Sequence, residues 1–275
     1  MTSLEAVCTT LAQIAPLRLA ESWDNVGLLV GDRTRTTSRI MTCLTITPNV
    51  VDEAIDEKAD LIITHHPLPF KALQRITTDS VSGSMLLRLI GAGTAIYSAH
   101  TAFDSAVDGI NQMWADLLKL RSVQPLVVIG DVEAGDAASS GQQLDGAGRS
   151  GHLDQPTALG QLIDRASTAV EATAARRVGS ADQLVTKVAL ACGSGGSFLA
   201  AAKRRGCDAM ITGEATFHTC LEAESLGIGL GLLGHFWSER FAMERLAQSL
   251  AAEFPELTIW PCRCEHDPVV LNDCD

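Results

Sequence analysis

The chain has 275 residues, of which 46% are hydrophobic, and a formal net charge of −12 at pH 7. This length allows one large or two ordinary domains, each with a sizeable core. The negative charge argues against a broad nucleic-acid-binding surface, and no apolar run approaches the roughly 18 residues that a membrane span needs. Residues 1–16 predict an amphipathic helix instead of an export signal, which favours a cytoplasmic location.

The eight cysteines are scattered along the chain, and only Cys262 and Cys264 stand close together. In a chain without an export signal, such cysteines are expected to be reduced thiols. The segment Cys262-Arg263-Cys264 leaves two interpretations open, which are a pair of structural thiols and a metal-binding pair.

Strands and helices alternate in the predicted first half of the chain. In order, the predicted elements are a helix to residue 14, strands at 26–30 and 40–46, a helix at 48–58, a strand from 61, a helix at 84–90, a strand at 94–99 and a helix at 108–118. This βαβα order predicts a mostly parallel sheet that is covered by helices.

Residues 131–157 are rich in Gly, Ala, Ser and Asp and show no apolar periodicity. They predict a connecting loop, which we expect to be the least ordered interior stretch because it has no apolar face to bury. The α/β pattern then resumes, with predicted strands at 185–192, 208–212 and 230–233 and a long final helix. The predicted organisation is a first α/β half at 1–130, the loop at 131–157 and a second α/β half at 158–275.

The two halves resemble each other in sequence. KADLIITHH aligns with GCDAMITGE, which places Asp60 on Asp208, and AIYSAHTAFD aligns with GLLGHFWSE, which places His100 on His235. Agreement of the strands alone is weak evidence, because any two βα units share such a pattern. A histidine followed four residues later by a carboxylate in both halves is more specific. We therefore predict duplicated α/β halves with helix-covered, mixed or mostly parallel sheets whose strand ends face a shared metal cleft.

Candidate metal ligands stand near the predicted strand ends. His65 and His66 end the strand that begins at residue 61, and His235 and Glu239 share one helix face because they are four residues apart. With Asp104 they supply three imidazoles and two carboxylates, a donor set that suits Zn²⁺, Fe²⁺, Mn²⁺ or Co²⁺. Five ligands are too many for one catalytic zinc but fit two ions that share a carboxylate. Alternatively, the two carboxylates cap helix N-termini, where anions are favoured.

Seven motifs resemble those of the Nif-three-like proteins, which are also labelled GTP cyclohydrolase 1 type 2 homologs. In chain order these motifs are ESWDNVGLLVGD, ITHHPLPF, SAHTAFDSAVDGIN, GRSGHL, CGSGGSFL, CDAMITGE and GHFWSE. The resemblance implies a duplicated α/β fold, two divalent ions per chain and a toroidal homohexamer. It assigns the metal ligands to the five residues named above, and it places His100 and Glu214 near the metals.

Two functional hypotheses of different classes follow. In the first, the protein is a metal-dependent hydrolase of a small, phosphorylated or heterocyclic substrate, and two ions of Zn, Fe or Mn lower the pKa of a water molecule. His100 is then the candidate proton carrier, because an imidazole titrates near neutral pH. In the second, the protein is a non-enzymatic metal-binding, metal-delivery or regulatory scaffold protein.

The motif GSGG at residues 193–196 lies between a predicted strand and a predicted helix, where backbone N–H groups can hold a phosphate. It lacks the lysine of a P-loop and the spacing of a dinucleotide fingerprint. The pattern therefore favours a tight turn for packing over a phosphate site.

Overall fold

The computed structural model of the protein describes residues 2–129 and 144–271. Within these ranges, none of the helices combines the length and the apolar composition that a membrane span requires. The helices and strands belong to two compact units, which are described separately below.

Each unit is built from two segments of the chain. Unit 1 comprises Met1–Phe103 and Arg240–His266, and unit 2 comprises Asp104–Glu239 and Asp267–Asp275. The segments proposed from the sequence, 1–130, 131–157 and 158–275, divide the chain along its length, and they stay a prediction.

The strands and helices are numbered in chain order. The strands are β1 (Thr2–Ser3), β2 (Gly27–Val30), β3 (Thr36–Thr37), β4 (Arg39–Thr45), β5 (Leu61–His66), β6 (Ala95–Ser98), β7 (Arg121–Gln124), β8 (Val127–Val128), β9 (Gly146–Ala147), β10 (Arg149–Ala158), β11 (Arg176–Val178), β12 (Leu184–Ala191), β13 (Ala209–Thr212), β14 (Gly229–Leu232) and β15 (Thr258–Pro261). The helices are α1 (Leu4–Ile14), α2 (Pro48–Asp56), α3 (Val81–Ala92), α4 (His100–Ser105), α5 (Ile110–Leu117), α6 (Leu159–Val170), α7 (Leu199–Arg204), α8 (Phe217–Leu226) and α9 (His235–Glu253), and short 3₁₀ turns lie at Leu17–Leu19 and Gly195–Phe198.

Unit 1 contains a sheet with the strand order β15-β4-β5-β6-β2. All of its strand pairs are parallel except the one between β6 and β2, which is antiparallel. Helix α2 begins where predicted, because Pro48 suits a first helical turn and the Thr47 side chain accepts a hydrogen bond from the Val50 backbone. The apolar faces of α2 and α3 join the sheet in one buried core.

Unit 2 contains a sheet with the strand order β11-β14-β13-β12-β10-β7. Its central pairs, β12 with β13 and β13 with β14, are parallel, and the pairs formed by β11, β10 and β7 are antiparallel. The duplicated α/β fold with mixed sheets is therefore confirmed, and the antiparallel strands lie outside the parallel centre of the sheet.

The strand registers confirm the internal repeat. Ile40 pairs with Leu61 in unit 1, and Val188 pairs with Ala209 in unit 2. The alignment of KADLIITHH with GCDAMITGE places Leu61 on Ala209, and the same offset places Ile40 on Val188. The two halves therefore share the same register between their first two parallel strands.

A carboxylate that binds the backbone of the preceding strand also repeats in the two units. Asp60 Oδ2 accepts a hydrogen bond from the Arg39 backbone N–H at 3.0 Å. Asp208 Oδ2, at the matching position, accepts one from the Lys187 backbone N–H at 2.9 Å. Both carboxylates tie the start of the second strand to the start of the first, so the repeat extends to side-chain contacts.

The segment after the first half differs from the loop predicted over residues 131–157. Residues 130–143 lie outside the described residues. The expected disorder of that part of the loop therefore stays a prediction. Beyond these residues, β9 and the ten-residue strand β10 occupy most of the described part of the predicted loop, residues 144–157. β10 pairs with both β12 and β7, so main-chain pairing stabilises a stretch whose side chains show no apolar alternation.

A fully buried arginine holds the start of β10. The Arg149 guanidinium donates to the carbonyl oxygens of Gly146, Gly148 and Ala106 and to the Gln112 side-chain oxygen. Burial lowers the pKa of Arg149 to about 10, so the group stays charged at neutral pH. These hydrogen bonds compensate for the loss of water around the buried cation.

We expect Arg149→Met to lower the free energy of unfolding by about 2–4 kcal/mol, because carbonyl oxygens that the guanidinium now satisfies lose their donor. Urea unfolding followed by circular dichroism measures this loss. Arg176→Met, at an exposed position on β11, is the matched control and is expected to change stability by less than about 0.5 kcal/mol. Equal stabilities of the two variants would contradict the role of Arg149.

Candidate metal centre

Three imidazoles lie together in unit 1. His65 and His66 end β5, and His100 begins α4 just after the neighbouring parallel strand β6. The ring centroids are 5.0 Å apart for His65 and His66, 5.1 Å for His65 and His100, and 5.5 Å for His66 and His100. One ring nitrogen from each residue lies within 4.8 Å of the others. The carboxyl ends of two parallel strands therefore bring three potential metal ligands to one edge of the sheet.

A buried ion pair orients the His66 ring through Thr45. Thr45 Oγ1 lies 2.6 Å from His66 Nδ1. The backbone N–H groups of Leu44 and Thr45 donate to Glu265 Oε1 at 2.8 and 2.9 Å, and Arg240 Nε lies 2.8 Å from Glu265 Oε2. The end of β4 is thus held by a carboxylate whose side chain is only 4% exposed. Because Nδ1 makes the contact with Thr45, Nε2 is the His66 atom that is left as a candidate metal ligand.

Asp24 holds His100 in place. Asp24 Oδ1 lies 2.7 Å from His100 Nδ1, and Oδ2 accepts hydrogen bonds from the backbone N–H and the hydroxyl of Thr101. Burial of the Asp24 carboxyl opposes its ionisation, but the hydrogen bonds from His100 and Thr101 outweigh that effect and lower its pKa to about 2. Asp24 is therefore a negatively charged partner of the imidazole, and the sequence analysis did not single it out, although it lies in the quoted motif ESWDNVGLLVGD.

His100 also adopts an unusual backbone conformation. Its φ angle is +28°, in a region that residues other than glycine rarely occupy. Strained residues of this kind concentrate at functional sites, where the surrounding contacts compensate for the strain. The contacts of Asp24 with both His100 and Thr101 are such contacts.

Two aromatic rings flank His100. The ring centroids of Trp23 and Phe70 are each 5.9 Å from that of His100, and they lie 6.1 Å from each other. Trp23 is 59% exposed and Phe70 is 47% exposed. The imidazole cluster therefore lies beside an exposed aromatic surface.

In unit 2, His235 and Glu239 contact each other on the first turns of α9. His235 Nε2 lies 3.0 Å from Glu239 Oε2, which confirms that the four-residue spacing places both side chains on one helix face. His235 Nδ1 lies 3.0 Å from Glu214 Oε1, so a second carboxylate orients the same ring. The hydrogen bond to Glu239, aided by Glu214, raises the pKa of His235 to about 9 despite the opposing effect of burial.

The GSGG motif packs directly against Glu239. Gly193 has a φ angle of +58°, and a Cβ atom at this position would lie 2.2 Å from Glu239 Oε1. Its backbone N–H donates to Ser238 Oγ at 2.9 Å. A Cβ atom on Gly213 would lie 2.6 Å from the same Ser238 Oγ. These close approaches support the interpretation of the motif as a packing turn, because only a residue without a side chain leaves room for the first turn of α9.

Asp104, the remaining predicted ligand, contacts a cysteine that the sequence analysis did not single out. Cys192 Sγ donates to Asp104 Oδ1 at 3.2 Å, and Asn111 bridges the two residues through hydrogen bonds to the Asp104 carbonyl and from the Cys192 N–H. Burial raises the pKa of the Cys192 thiol, and the nearby carboxylates of Asp104 and Glu239 raise it further. The thiol is therefore protonated at neutral pH. The sequence feature that could have identified Cys192 is its position in the motif CGSGGSFL.

The donor chemistry fits a divalent ion. Imidazole nitrogens and carboxylate oxygens, several of them oriented by a further carboxylate or hydroxyl group, are the ligands that Zn²⁺, Fe²⁺ and Mn²⁺ prefer. The structure thus contains His/Glu clusters able to hold a metal ion. The expectation that all five predicted ligands face one shared cleft stays a prediction.

Fold and site together define a duplicated α/β protein with candidate metal-binding clusters. Residues 2–268 match the sequence model of the family Duf34/NIF3 (NGG1p interacting factor 3). The chain belongs to this family. A Clostridium acetobutylicum relative, named GTP cyclohydrolase 1 type 2 homolog, is 34% identical over 85% of this chain and 84% of its own length. A Schizosaccharomyces pombe relative, named Protein NIF3 homolog, is 34% identical over 86% of this chain and 85% of its own length.

Solved structures show the same fold. The Staphylococcus aureus protein SA1388 is 24% identical, with a TM-score of 0.87 over 98% of this chain and 99% of its own. A Bacillus cereus protein related to NIF3 is 23% identical, with a TM-score of 0.85 over 98% of this chain and 99% of its own. The family resemblance seen in the motifs is therefore confirmed in both sequence and fold.

The Asp24 carboxylate predicts a specific acid sensitivity of the metal-free protein. Because its pKa of about 2 in the folded state lies below the ordinary value of 3.8, its ionisation stabilises the fold above about pH 4. This contribution, about 2 kcal/mol, is lost as the pH falls towards 2. We expect the stability difference between wild type and Asp24→Asn to shrink over this range in urea unfolding with a chelator present.

The control for this experiment is Asp164→Asn, at an exposed position on α6, whose stability difference from wild type is expected to stay constant between pH 4 and pH 2. A constant difference for Asp24→Asn as well would show that the Asp24 carboxylate does not stabilise the fold through its charge.

Proposed function

We propose that this protein binds two divalent metal ions per chain, of Zn, Fe or Mn, and hydrolyses a small, phosphorylated or heterocyclic substrate. The observation that carries the proposal is the repeated pairing of a histidine with an orienting carboxylate. Asp24 contacts His100 Nδ1 in unit 1, and Glu214 contacts His235 Nδ1 in unit 2. Outer carboxylates of this kind characterise metal-binding and proton-transferring histidines.

The proposed ligands are the five residues that the family resemblance assigns. The full set contains three imidazoles and two carboxylates, which are His65, His66, Asp104, His235 and Glu239. Glu239 is the candidate bridge, because two cations close together repel each other unless an anion lies between them. The Glu239 side chain is almost completely buried, as expected for a carboxylate that binds metal ions and is not hydrated by solvent.

Divalent ions supply Lewis acidity, which lowers the pKa of a bound water and polarises the bond under attack. The residues of this chain position the substrate and move the proton. His100 is the proposed proton carrier, and the ionised Asp24 stabilises its imidazolium form through the 2.7 Å contact with Nδ1. Trp23 and Phe70 offer exposed rings against which a planar heterocycle can stack.

A second candidate function is a non-enzymatic metal-binding, metal-delivery or regulatory scaffold protein. The exposure of two groups favours it, since the side chains of His235 and Glu214 are 36% and 49% exposed. A ligand that solvent can reach allows an ion to exchange. Rapid exchange of metal with no turnover across a panel of phosphate esters and heterocyclic amides would favour this function, and turnover with retained metal would favour the hydrolase.

The proposal also includes an assembly and a location. Following the resemblance, we propose a homohexamer in the cytoplasm with a small-molecule substrate and no nucleic-acid partner. Light scattering coupled to gel filtration measures the number of chains per particle. A monomer at micromolar concentration would contradict the proposed hexamer without affecting the proposed metal binding.

Elemental analysis tests the metal content. After reconstitution with Fe, Mn or Zn and removal of loosely bound ions, we expect two ions per wild-type chain. Glu239→Gln preserves size but removes the charge, so we expect it to lose at least one ion while the thermal unfolding of the metal-free protein changes little. His218→Ala, on the exposed face of α8, is the control and should keep both ions. A wild-type content of one ion or none would contradict the proposal, and retention of two tightly bound ions by Glu239→Gln would refute the bridging role.

His100→Ala separates proton transfer from metal binding. We expect this variant to keep both ions and to slow turnover by about 10²–10⁴-fold, because it removes the proton carrier and leaves the five ligands in place. The measurements are metal content and the rate on whichever compound of the panel wild type hydrolyses. Loss of metal in His100→Ala would instead identify His100 as a ligand.

A further inference from the structure

A second kind of ligand cluster lies in unit 1, where the chain after β15 meets α2. Cys262 Sγ lies 3.4 Å from Cys264 Sγ and 3.2 Å from Glu53 Oε2. The ligand atoms of all three residues lie within 4.8 Å of one another. None of these residues belongs to the histidine and carboxylate sets described above, so the proposed hydrolase leaves the cluster without a role.

We propose that Glu53, Cys262 and Cys264 form a separate site for a thiophilic divalent ion such as Zn²⁺. Zinc bonds of about 2.3 Å to sulfur and about 2.1 Å to oxygen, at tetrahedral angles, require separations of about 3.8 Å between two sulfurs and about 3.5 Å between sulfur and oxygen. The observed separations of 3.4 and 3.2 Å are within about 0.4 Å of these values. Small side-chain shifts therefore suffice to admit the ion.

The Glu53 carboxylate is already held in the position that a ligand needs. Its Oε1 accepts a hydrogen bond from Trp260 Nε1 at 3.1 Å, and its Oε2 accepts one each from the backbone N–H groups of Arg263 and Cys264 at 3.0 Å. Outer hydrogen bonds that fix a ligand in this way lower the conformational entropy lost on metal binding. These hydrogen bonds also shape the turn that places the two cysteines side by side.

The charges of the cluster balance around a divalent ion. When the ion binds, both thiols release their protons to solvent, so two thiolates and one carboxylate carry three negative charges. The ion supplies two positive charges, and the Arg263 guanidinium, whose Nε lies 3.3 Å from Glu53 Oε1, supplies another. Arg263 also contacts Glu57, whose charge is in turn paired with Arg39, so the local charges still sum to zero. Thiolate ligands select soft or borderline metals such as Zn²⁺ over Mg²⁺ and Ca²⁺.

The cluster is accessible from one side. Cys262 is 3% exposed, Cys264 is half-buried and Arg263 is exposed. An ion bound here can therefore enter past Cys264 and take water as its fourth ligand, as tetrahedral sites with three protein ligands do. Without an ion, the same contacts would only stabilise the turn that contains the two cysteines. Metal titration distinguishes an ion site from such a structural role.

Cadmium titration tests the site directly. Cd²⁺ bound by thiolate gives an ultraviolet charge-transfer band that imidazole and carboxylate ligands do not give. We expect the reduced, metal-free full-length protein to develop this band with one equivalent of thiolate-bound Cd²⁺. Cys264→Ser and Cys262→Ser should each lose most of the band, and Glu53→Gln should weaken the apparent affinity by at least about tenfold.

Two cysteine variants serve as matched controls. Cys220→Ser, on α8, and Cys192→Ser, beside Asp104, should keep the band, because neither thiol belongs to the cluster. Cys264 is half-buried, so its serine variant is expected to fold, as circular dichroism will show. Absence of the band in wild type, or its loss in Cys192→Ser with retention in Cys264→Ser, would overturn the proposal. Metal content at the histidine sets is measured separately, so either proposal can fail alone.

Discussion

The contact between a carboxylate and the Nδ1 atom of an imidazole is the interaction on which the candidate metal centre depends. Asp24 makes this contact with His100, and Glu214 makes it with His235. A negatively charged carboxylate beside Nδ1 fixes the orientation of the ring and leaves the opposite nitrogen to bind an ion or a proton. The two histidines occupy aligned positions of the repeat, but Glu214 aligns with His66 and Asp24 precedes β2. The two units therefore make the same kind of contact with carboxylates from different parts of the fold.

The approach of the backbone to the start of α9 imposes a second constraint. Gly193 and Gly213 lie so close to the Glu239 and Ser238 side chains that a Cβ atom at either position would overlap them. The glycine-rich turn thereby packs against the buried Glu239 carboxylate, which contacts His235, and excludes water from one side of that carboxylate. Removing water strengthens the electrostatic interaction of that carboxylate with any cation near it. The turn resembles a phosphate-binding loop in composition, but its backbone contacts a helix of the same chain.

Unit 1 contains two donor sets of different chemical character. Imidazoles gather at the carboxyl ends of β5 and β6, whereas thiols and a carboxylate gather between α2 and the segment after β15. Imidazole with carboxylate accepts a range of divalent ions, while thiolates select softer ones. The two sets can therefore bind different metals, which separates any role of Cys262 and Cys264 from the chemistry at the histidines.

The sequence by itself determined the features that depend on neighbours along the chain. The four-residue spacing of His235 and Glu239 predicted a shared helix face, and the aligned repeats predicted the parallel strand register, because both follow from short periodic patterns. Tertiary structure alone decided that Asp24 contacts His100, since the two lie 76 residues apart and no local pattern links them. It also decided that β10 is a strand, because hydrogen bonds from two partner strands, and no alternation of its own residues, stabilise it.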